Sequence, residues 1–427
     1  MIGKLLNRRS LRVLDAPRQS FPLVLFAGKI GSLIRSFLLG AEPLDAVTRL
    51  LSDLVAIPSV NPMGRGLSGP EFLEGRVSDY LEGYFRGIGV EVERQVVSPG
   101  RDNIIARYES PKARRTILFD VHQDTVPVDG MTIAPFRPEL KGGRLYGRGA
   151  CDIKGGMASM LTAFARLVHE RPADSASVIL ACTVDEEFTH TGSSRLADGN
   201  HGADLAIVSE PTLLNIVDRH KGAVRWKIRT QGVACHASTP HLGENAIYTM
   251  ARVVTALQEY AADLANSRPD PALGPPSLSV GRIEGGVSVN VVPDWCEIEI
   301  DRRVIPGERA AECPGRVLNA LREWLGETMN RVEFLPPWVN MPPLVAGKAE
   351  LFLPALKAAI EKVGGRTPDV MGVPYGTDAG PLGDAGLPCV VFGPGDIAQA
   401  HTKDEWIEIE QVQMAAEMYF EMARELG

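Results

Sequence analysis

The sequence predicts an α/β protein: a mixed, mainly parallel sheet flanked by helices, with a smaller α+β unit inserted into it. Three observations predict it. Short apolar runs such as "TILFDV" and "SVILACTV" alternate with segments of helical periodicity, as in parallel strands covered on both faces. Near Asp218 the texture changes to half-exposed, alternating strands, and after "PPWVNMPPLV" the first texture returns. At 427 residues, the chain is too long for one ordinary core, so two domains are expected.

In order, "AVTRLLSDLVAI" has helical spacing, residues 116–121 read as a buried strand, and "KGGMASMLTAFARLVHE" as a helix. "ASVILACTVDEE" and "ADLAIVSEP" read as two more buried strands. The inserted unit comes next: strand "AVRWKIRTQG", helix "ENAIYTMARVVTALQEYAADLA", strands "SLSVGRIEGG" and "CEIEIDRRV", helix "ERAAECPGRVLNALREWLG" and strand "NRVEFL". That β-α-β-β-α-β order is ferredoxin-like. Helix "LFLPALKAAIEKVG", strand "PCVVFG" and a helix from about Glu410 close the chain. The expected boundaries are a leader over residues 1–40, a first catalytic part over 41–217, the insert over 218–336 and a second catalytic part over 337–427.

Hydrophobic residues make up 44% and charged residues 23%, a globular composition. A net charge of −8 and the absence of a basic, aromatic-interleaved stripe argue against nucleic acid as a partner. Cys151, Cys182, Cys235, Cys296, Cys313 and Cys389 form no C-x-x-C pair and mostly sit beside apolar runs. They read as reduced thiols, which points to the cytoplasm. The basic first forty residues include the apolar "FPLVLFAG", but Lys29 and Arg35 break up the stretch after it, so no membrane span is expected. "NRRSLRVL" faintly resembles a twin-arginine export signal without its apolar core or cleavage site. A disordered leader, or a start codon placed too early, is the preferred reading.

Polar residues able to bind metal recur where the apolar strands end, the place where open α/β sheets bind ligands. His122 and Asp124 stand in "FDVHQDTVP"; in extended chain they share a face, so the Asp could accept the second ring N–H of the His. On its own, such a pair is an ordinary polar loop. Asp152 lies among glycines in "LYGRGACDIKGGMAS" before a helix, where an N-cap is the plain alternative. Glu186 and Glu187 are adjacent in "VDEEFTH", Glu210 stands in "IVSEPT", and His401 in "AHTKDEW". Imidazoles and carboxylates without a thiolate suit two divalent cations, zinc first, with cobalt or manganese in its place. One Glu of the pair would ligate a cation and the other would move protons. Glu186 is preferred as the base, although residue order alone leaves the two assignments open.

Seven motifs in order, "DVHQDTVPV", "LYGRGACDIKGG", "TVDEEFTHTGS", "VSEPT", "GVACHASTPHLGENAI", "GGVSVNVVPDWCEIEIDRR" and "AHTKDEW", resemble the dinuclear zinc deacylases and peptidases. That family is typified by acetylornithine deacetylase, succinyl-diaminopimelate desuccinylase, aminoacylase and glutamate carboxypeptidase. The resemblance implies one metal on His122, Asp152 and Glu210 and a second on Asp152, Glu187 and His401, with Asp152 bridging. It implies that Glu186 is the general acid/base, that Asp124 orients His122, and that a hydroxide between the metals attacks the amide. It makes the insert a lid through which a homodimer forms, with His236 reaching into the partner's site to hold the oxyanion. Asn290 and Arg303 would grip substrate; an Arg suits a carboxylate through its planar fork. Gly393 and Gly395, in "FGPG", would bind the α-carboxylate through backbone N–H groups. His190, Asp378 and "YGT" at 375–377 would lie nearby, with no role assigned. The expected reaction is cleavage of an N-acyl amino acid. A dipeptidase or carboxypeptidase on the same scaffold is the alternative, and a non-catalytic scaffold protein a weaker one.

Overall fold

Apolar runs with no polar face build the centre of the sheet. In the computed structural model, which describes residues 44–199, 202–267 and 269–427, "SVILACT" forms the strand Ser177–Thr183 and is buried at every position. Its parallel neighbour is Thr116–His122, paired from Thr116↔Ser177 to His122↔Thr183. Eight strands form this sheet, in the order Val92–Ser98, Arg101–Tyr108, Ser177–Thr183, Thr116–His122, Leu205–Val208, Cys389–Val391, Ile216–His220 and Val370–Val373. The four strands from Ser177–Thr183 to Cys389–Val391 run parallel. Antiparallel pairing on either side makes the sheet mixed.

Both faces are covered. Ile117, Phe119 and Val121 pack into one apolar cluster with the helices Ala46–Val55, Gly155–Glu170, Leu353–Gly364 and Ile409–Glu425. Leu118, between them, faces a second cluster that includes Leu196 and Leu382. Period-two alternation on a sheet covered twice is why apolar residues point to both faces, with the buried Asp120 as an exception. Each large side chain fully buried there contributes about 1.5–3 kcal/mol.

A separate antiparallel sheet has the order Ser277–Gly285, Trp295–Val304, Gly222–Gln231, Val332–Phe334, and Val339–Met341 also pairs with Gly222–Gln231. Trp226, Ile228, Ile298 and Ile300 pack beneath Val253, Leu257, Val317 and Leu321 of the helices Ala246–Ala265 and Cys313–Leu325. The helix expected from Glu308 begins instead at Cys313, because Pro314 fits only its first turn. The chain passes from one sheet to the other between His220 and Gly222.

Two features carry no clear signal in the sequence. The edge hairpin of Val92–Ser98 and Arg101–Tyr108 is half polar on its outer strand, so no apolar run marks it. The three-residue strands Glu139–Lys141, Arg144–Tyr146 and Trp406–Glu408 form a third sheet that ties the chain after His401 to the segment before Asp152. No helix among the described residues is long and apolar enough to cross a membrane. The expectation for residues 1–40 lies outside the described residues.

Candidate metal centre

Three neighbouring parallel strands end at one edge of the central sheet, and each delivers a polar side chain there. His122 is the last residue of its strand; Glu186 and Glu187 come after Ser177–Thr183; Glu210 comes after Leu205–Val208. Strand order alone therefore brings together residues that are far apart in sequence.

The turn carrying the two glutamates is fastened by other carboxylates. Asp185, at φ 65°, pairs with Arg101 and accepts from Thr191 Oγ1 at 2.6 Å. Asn61 Nδ2 donates to both Asp185 Oδ1, at 2.9 Å, and Asp124 Oδ2, at 2.8 Å. Asp124 also accepts the main-chain N–H of Glu186 at 3.1 Å and of Glu187 at 3.2 Å. His122 Nδ1 lies 3.0 Å from the main-chain carbonyl of Asp124, whereas the nearest Asp124 carboxylate oxygen is 3.5 Å away. That carboxylate is shared with Asn61 and the Glu turn.

Asp152 is held just as firmly. The buried Glu405 accepts N–H groups from Gly149 at 3.0 Å, Cys151 at 2.9 Å and Asp152 at 3.0 Å, and pairs with Arg148 at 2.7 Å. Gly156 is required where the following helix meets the strand-end loop, because a Cβ there would collide with Ser209 Oγ. Glu405 belongs to "AHTKDEW", but no local pattern there announces its task.

The two oxygens of Asp152 serve two sides. Oδ1 is 3.1 Å from His122 Nε2, which is 4.0 Å from Glu210 Oε1. Oδ2 is 3.3 Å from His401 Nε2, which is 3.1 Å from Glu187 Oε2. His122–Asp152–Glu210 and Asp152–Glu187–His401 thus form two groups whose ligand atoms lie within 4.8 Å of one another. Glu186 sits beside them, 3.9 Å from His122 and 3.7 Å from His190. His190 Nδ1 is 3.1 Å from Asp378, whose carboxylate accepts from Ser193 Oγ at 2.6 Å and Thr183 Oγ1 at 2.9 Å. His190 and Asp378, to which the sequence alone assigns no role, thereby gain a position next to Glu186.

Burial, and then neighbouring acids, push Glu210 and Glu186 well above the usual carboxylate range; burial and Asp152 also raise Glu187. Burial pushes Asp152 up too, but hydrogen bonds from His122 and His401 outweigh it and hold it ionised. Hydrogen bonds to Asp152 and Glu187 raise His401 to about 11. Four buried carboxylates crowded onto two imidazoles are a site short of positive charge. The oxygen and nitrogen donors fit hard or borderline divalent cations.

The site opens into a cavity of about 260 Å³ that Arg303 also lines. Arg302 points the other way, buried against Glu308 at 2.5 Å, so strand alternation selects Arg303 as the pocket residue. Asn290 and His236 are brought together but away from this cavity: Ala237 N–H donates to the Asn290 carbonyl at 3.0 Å, and both residues are exposed. The main-chain N–H of Ser238 donates to His236 Nδ1 at 3.1 Å. Gly393 and Gly395 differ from expectation. Their N–H groups donate to Thr212 Oγ1 at 3.0 Å and Gln411 Oε1 at 2.9 Å, so neither is free for a substrate carboxylate.

Residues 118–425 match the sequence family described as Peptidase family M20/M25/M40. The chain is 31% identical over 340 residues to an acetylornithine deacetylase of Vibrio campbellii, covering 78% of this chain and 87% of that protein. Among solved structures, an M20 family metallo-carboxypeptidase from Sulfolobus solfataricus superposes with a TM-score of 0.72 at 20% identity, covering 89% of this chain and 99% of that one. A dinuclear metal-binding peptidase of Bacillus subtilis gives 0.64 at 18%, covering 88% and 96%. With its paired ligand groups at the strand ends and this match across most of its length, the chain belongs to the M20/M25/M40 peptidase family and is a metallohydrolase of amide bonds.

Proposed function

We propose that the protein is a dinuclear amidohydrolase that releases the amino acid from an N-acyl amino acid, of the acetylornithine deacetylase or succinyl-diaminopimelate desuccinylase type. The observation that carries this reading is the two-sided Asp152, with a separate carboxylate, Glu186, 3.9 Å from His122. His122, Asp152 and Glu210 would hold one cation and Asp152, Glu187 and His401 the other, zinc first and cobalt or manganese next. Bound there, the cations supply Lewis acidity and make water acidic enough to deprotonate near neutral pH. Glu186 takes the proton from the attacking water and returns it to the departing amine nitrogen. Arg303 holds a substrate carboxylate. The small cavity suits an acyl amino acid better than a folded polypeptide. A dipeptidase or carboxypeptidase would use the same metal residues and differ in what the pocket admits.

In this reading the antiparallel unit is a lid that pairs two copies, and His236 of one copy donates its Nε2–H to the oxyanion in the other. Leu242 at 67% exposure, Tyr248 at 71% and Val289 at 100% are carried by the segments around His236 and Asn290, an apolar surface that a second copy would cover. His236→Ala is expected to lower kcat about a hundredfold or more, the effect of removing one oxyanion donor, with metal content and dimer mass unchanged. Steady-state kinetics with sedimentation checks this; unchanged kcat would make the residue structural. The unpaired cysteines, mostly buried, support a cytoplasmic setting.

The direct test is amine release from N-acetyl-L-ornithine, N-succinyl amino acids and dipeptides by zinc-loaded protein, with and without chelator. Chelator-sensitive release from acyl amino acids supports the proposal. Release from dipeptides alone moves it to the peptidase reading. No release from any of these compounds by protein carrying both metals overturns both.

A further inference from the structure

Two arginines of the antiparallel sheet line the same cavity as the candidate metal residues. Arg225 and Arg303 both line the cavity with Glu186, Glu210 and His401. Arg225 stands directly across from Asp301 on the neighbouring strand, and Arg303 is two residues further along, so all three share one face. Asp301 binds both: Oδ2 lies 2.8 Å from Arg225 Nε, and Oδ1 lies 2.7 Å from Arg303 Nε. Asp301 is the one ion-pair partner of either arginine among the described residues. One carboxylate leaves two guanidiniums with a surplus positive charge and with terminal NH₂ groups free to donate. Further along this face each carboxylate serves its own cations, Glu297 pairing with Lys227 at 2.9 Å and Arg229 at 2.6 Å, and Glu299 with Lys227 at 3.3 Å and Arg282 at 3.1 Å. Nearby Lys221 feels the surplus: burial, and then Arg303, push its pKa down. Ala223, Val339 and Met341 form an apolar step beside the pair, fit for a methylene chain.

We propose that Arg225 is a specificity-determining residue and that, with Arg303, it forms a paired-guanidinium subsite selecting substrates whose released amino acid carries two carboxylates. Aspartate and glutamate hold their carboxylates only a few atoms apart, which matches two guanidiniums drawn together by one aspartate. An ornithine side chain would instead bring an ammonium to Arg225. The inference rests on the amidohydrolase reading and specifies the substrate class for it.

The test compares kcat/KM of zinc-loaded protein on N-acetyl-L-glutamate, its neutral isostere N-acetyl-L-glutamine, and N-acetyl-L-ornithine. A charged hydrogen bond of this kind predicts a glutamate-over-glutamine preference of roughly ten- to a hundredfold. In Arg225→Gln, that ratio should fall toward one; Arg225→Lys should retain part of it. Metal content and thermal midpoint establish that the variants fold. Equal kcat/KM for the glutamate and glutamine compounds in the unaltered protein, or a ratio unchanged in Arg225→Gln, overturns the proposal. If none of the three compounds is hydrolysed, the amidohydrolase reading for these substrates fails separately. Calorimetric titration with L-glutamate and L-glutamine then decides the subsite alone. Tighter glutamate binding that Arg225→Gln abolishes supports it, and equal or absent binding overturns it.

Discussion

Glu186→Ala is expected to lower kcat for amide hydrolysis roughly a thousandfold, within the range of a lost general acid/base, while the protein still binds two cations. The geometry separates the two properties. Glu186 lies outside both ligand groups, 3.9 Å from His122 and 3.7 Å from His190. Its main-chain N–H, not its side chain, fastens the turn to Asp124. Truncation therefore leaves the path of Glu187 intact. It also removes a buried carboxylate whose ionisation is opposed by burial and by Glu210 and Asp378, so the metal-free variant should be no less stable than the parent. Metal analysis beside single-turnover kinetics checks this. Loss of either cation in the variant would mean that the roles of Glu186 and Glu187 are exchanged.

Asp152→Ala is expected to empty both positions, lowering affinity at each by about a hundredfold or more, since a direct ligand matters at least as much as the outer partners of a metal site. No other residue belongs to both ligand groups. His401→Ala should weaken only the position it shares with Asp152 and Glu187, leaving the His122 side loaded. Metal-to-protein ratios after dialysis distinguish the two patterns; an Asp152 variant that keeps one tight cation would show that the residue does not bridge.

Much of this site is legible in the sequence because its residues sit where recognisable apolar strands stop. His122, Glu186, Glu187 and Glu210 each come after a run whose burial the residue types announce, and the ordered motifs supply the expectation for Asp152 and His401. The contacts that escape such a reading are long-range. Glu405 reaches Asp152 across 253 positions, and Asp378 reaches His190 across 188, with no local pattern to show either meeting. Arg225 looks like one more outward residue of an alternating strand; only the second sheet's placement makes it a pocket wall. The amides of Gly393 and Gly395 are expected to face a substrate carboxylate, yet Thr212 and Gln411 engage them. The edge hairpin and the three-residue strands lack the apolar runs that mark the central strands.

The fastening of Asp152 by Glu405 also dictates an order of events during synthesis. Residues beyond 400 supply both a candidate metal ligand, His401, and the carboxylate, Glu405, that shapes the loop carrying another candidate, Asp152. A nascent chain that has emerged only as far as the antiparallel unit already holds His122, Asp152, the two glutamates and Glu210, but not the pieces that organise them. On the proposed assignment, the position shared by Asp152, Glu187 and His401 is completed only once residue 401 has emerged, and a product truncated ahead of it should lack that position.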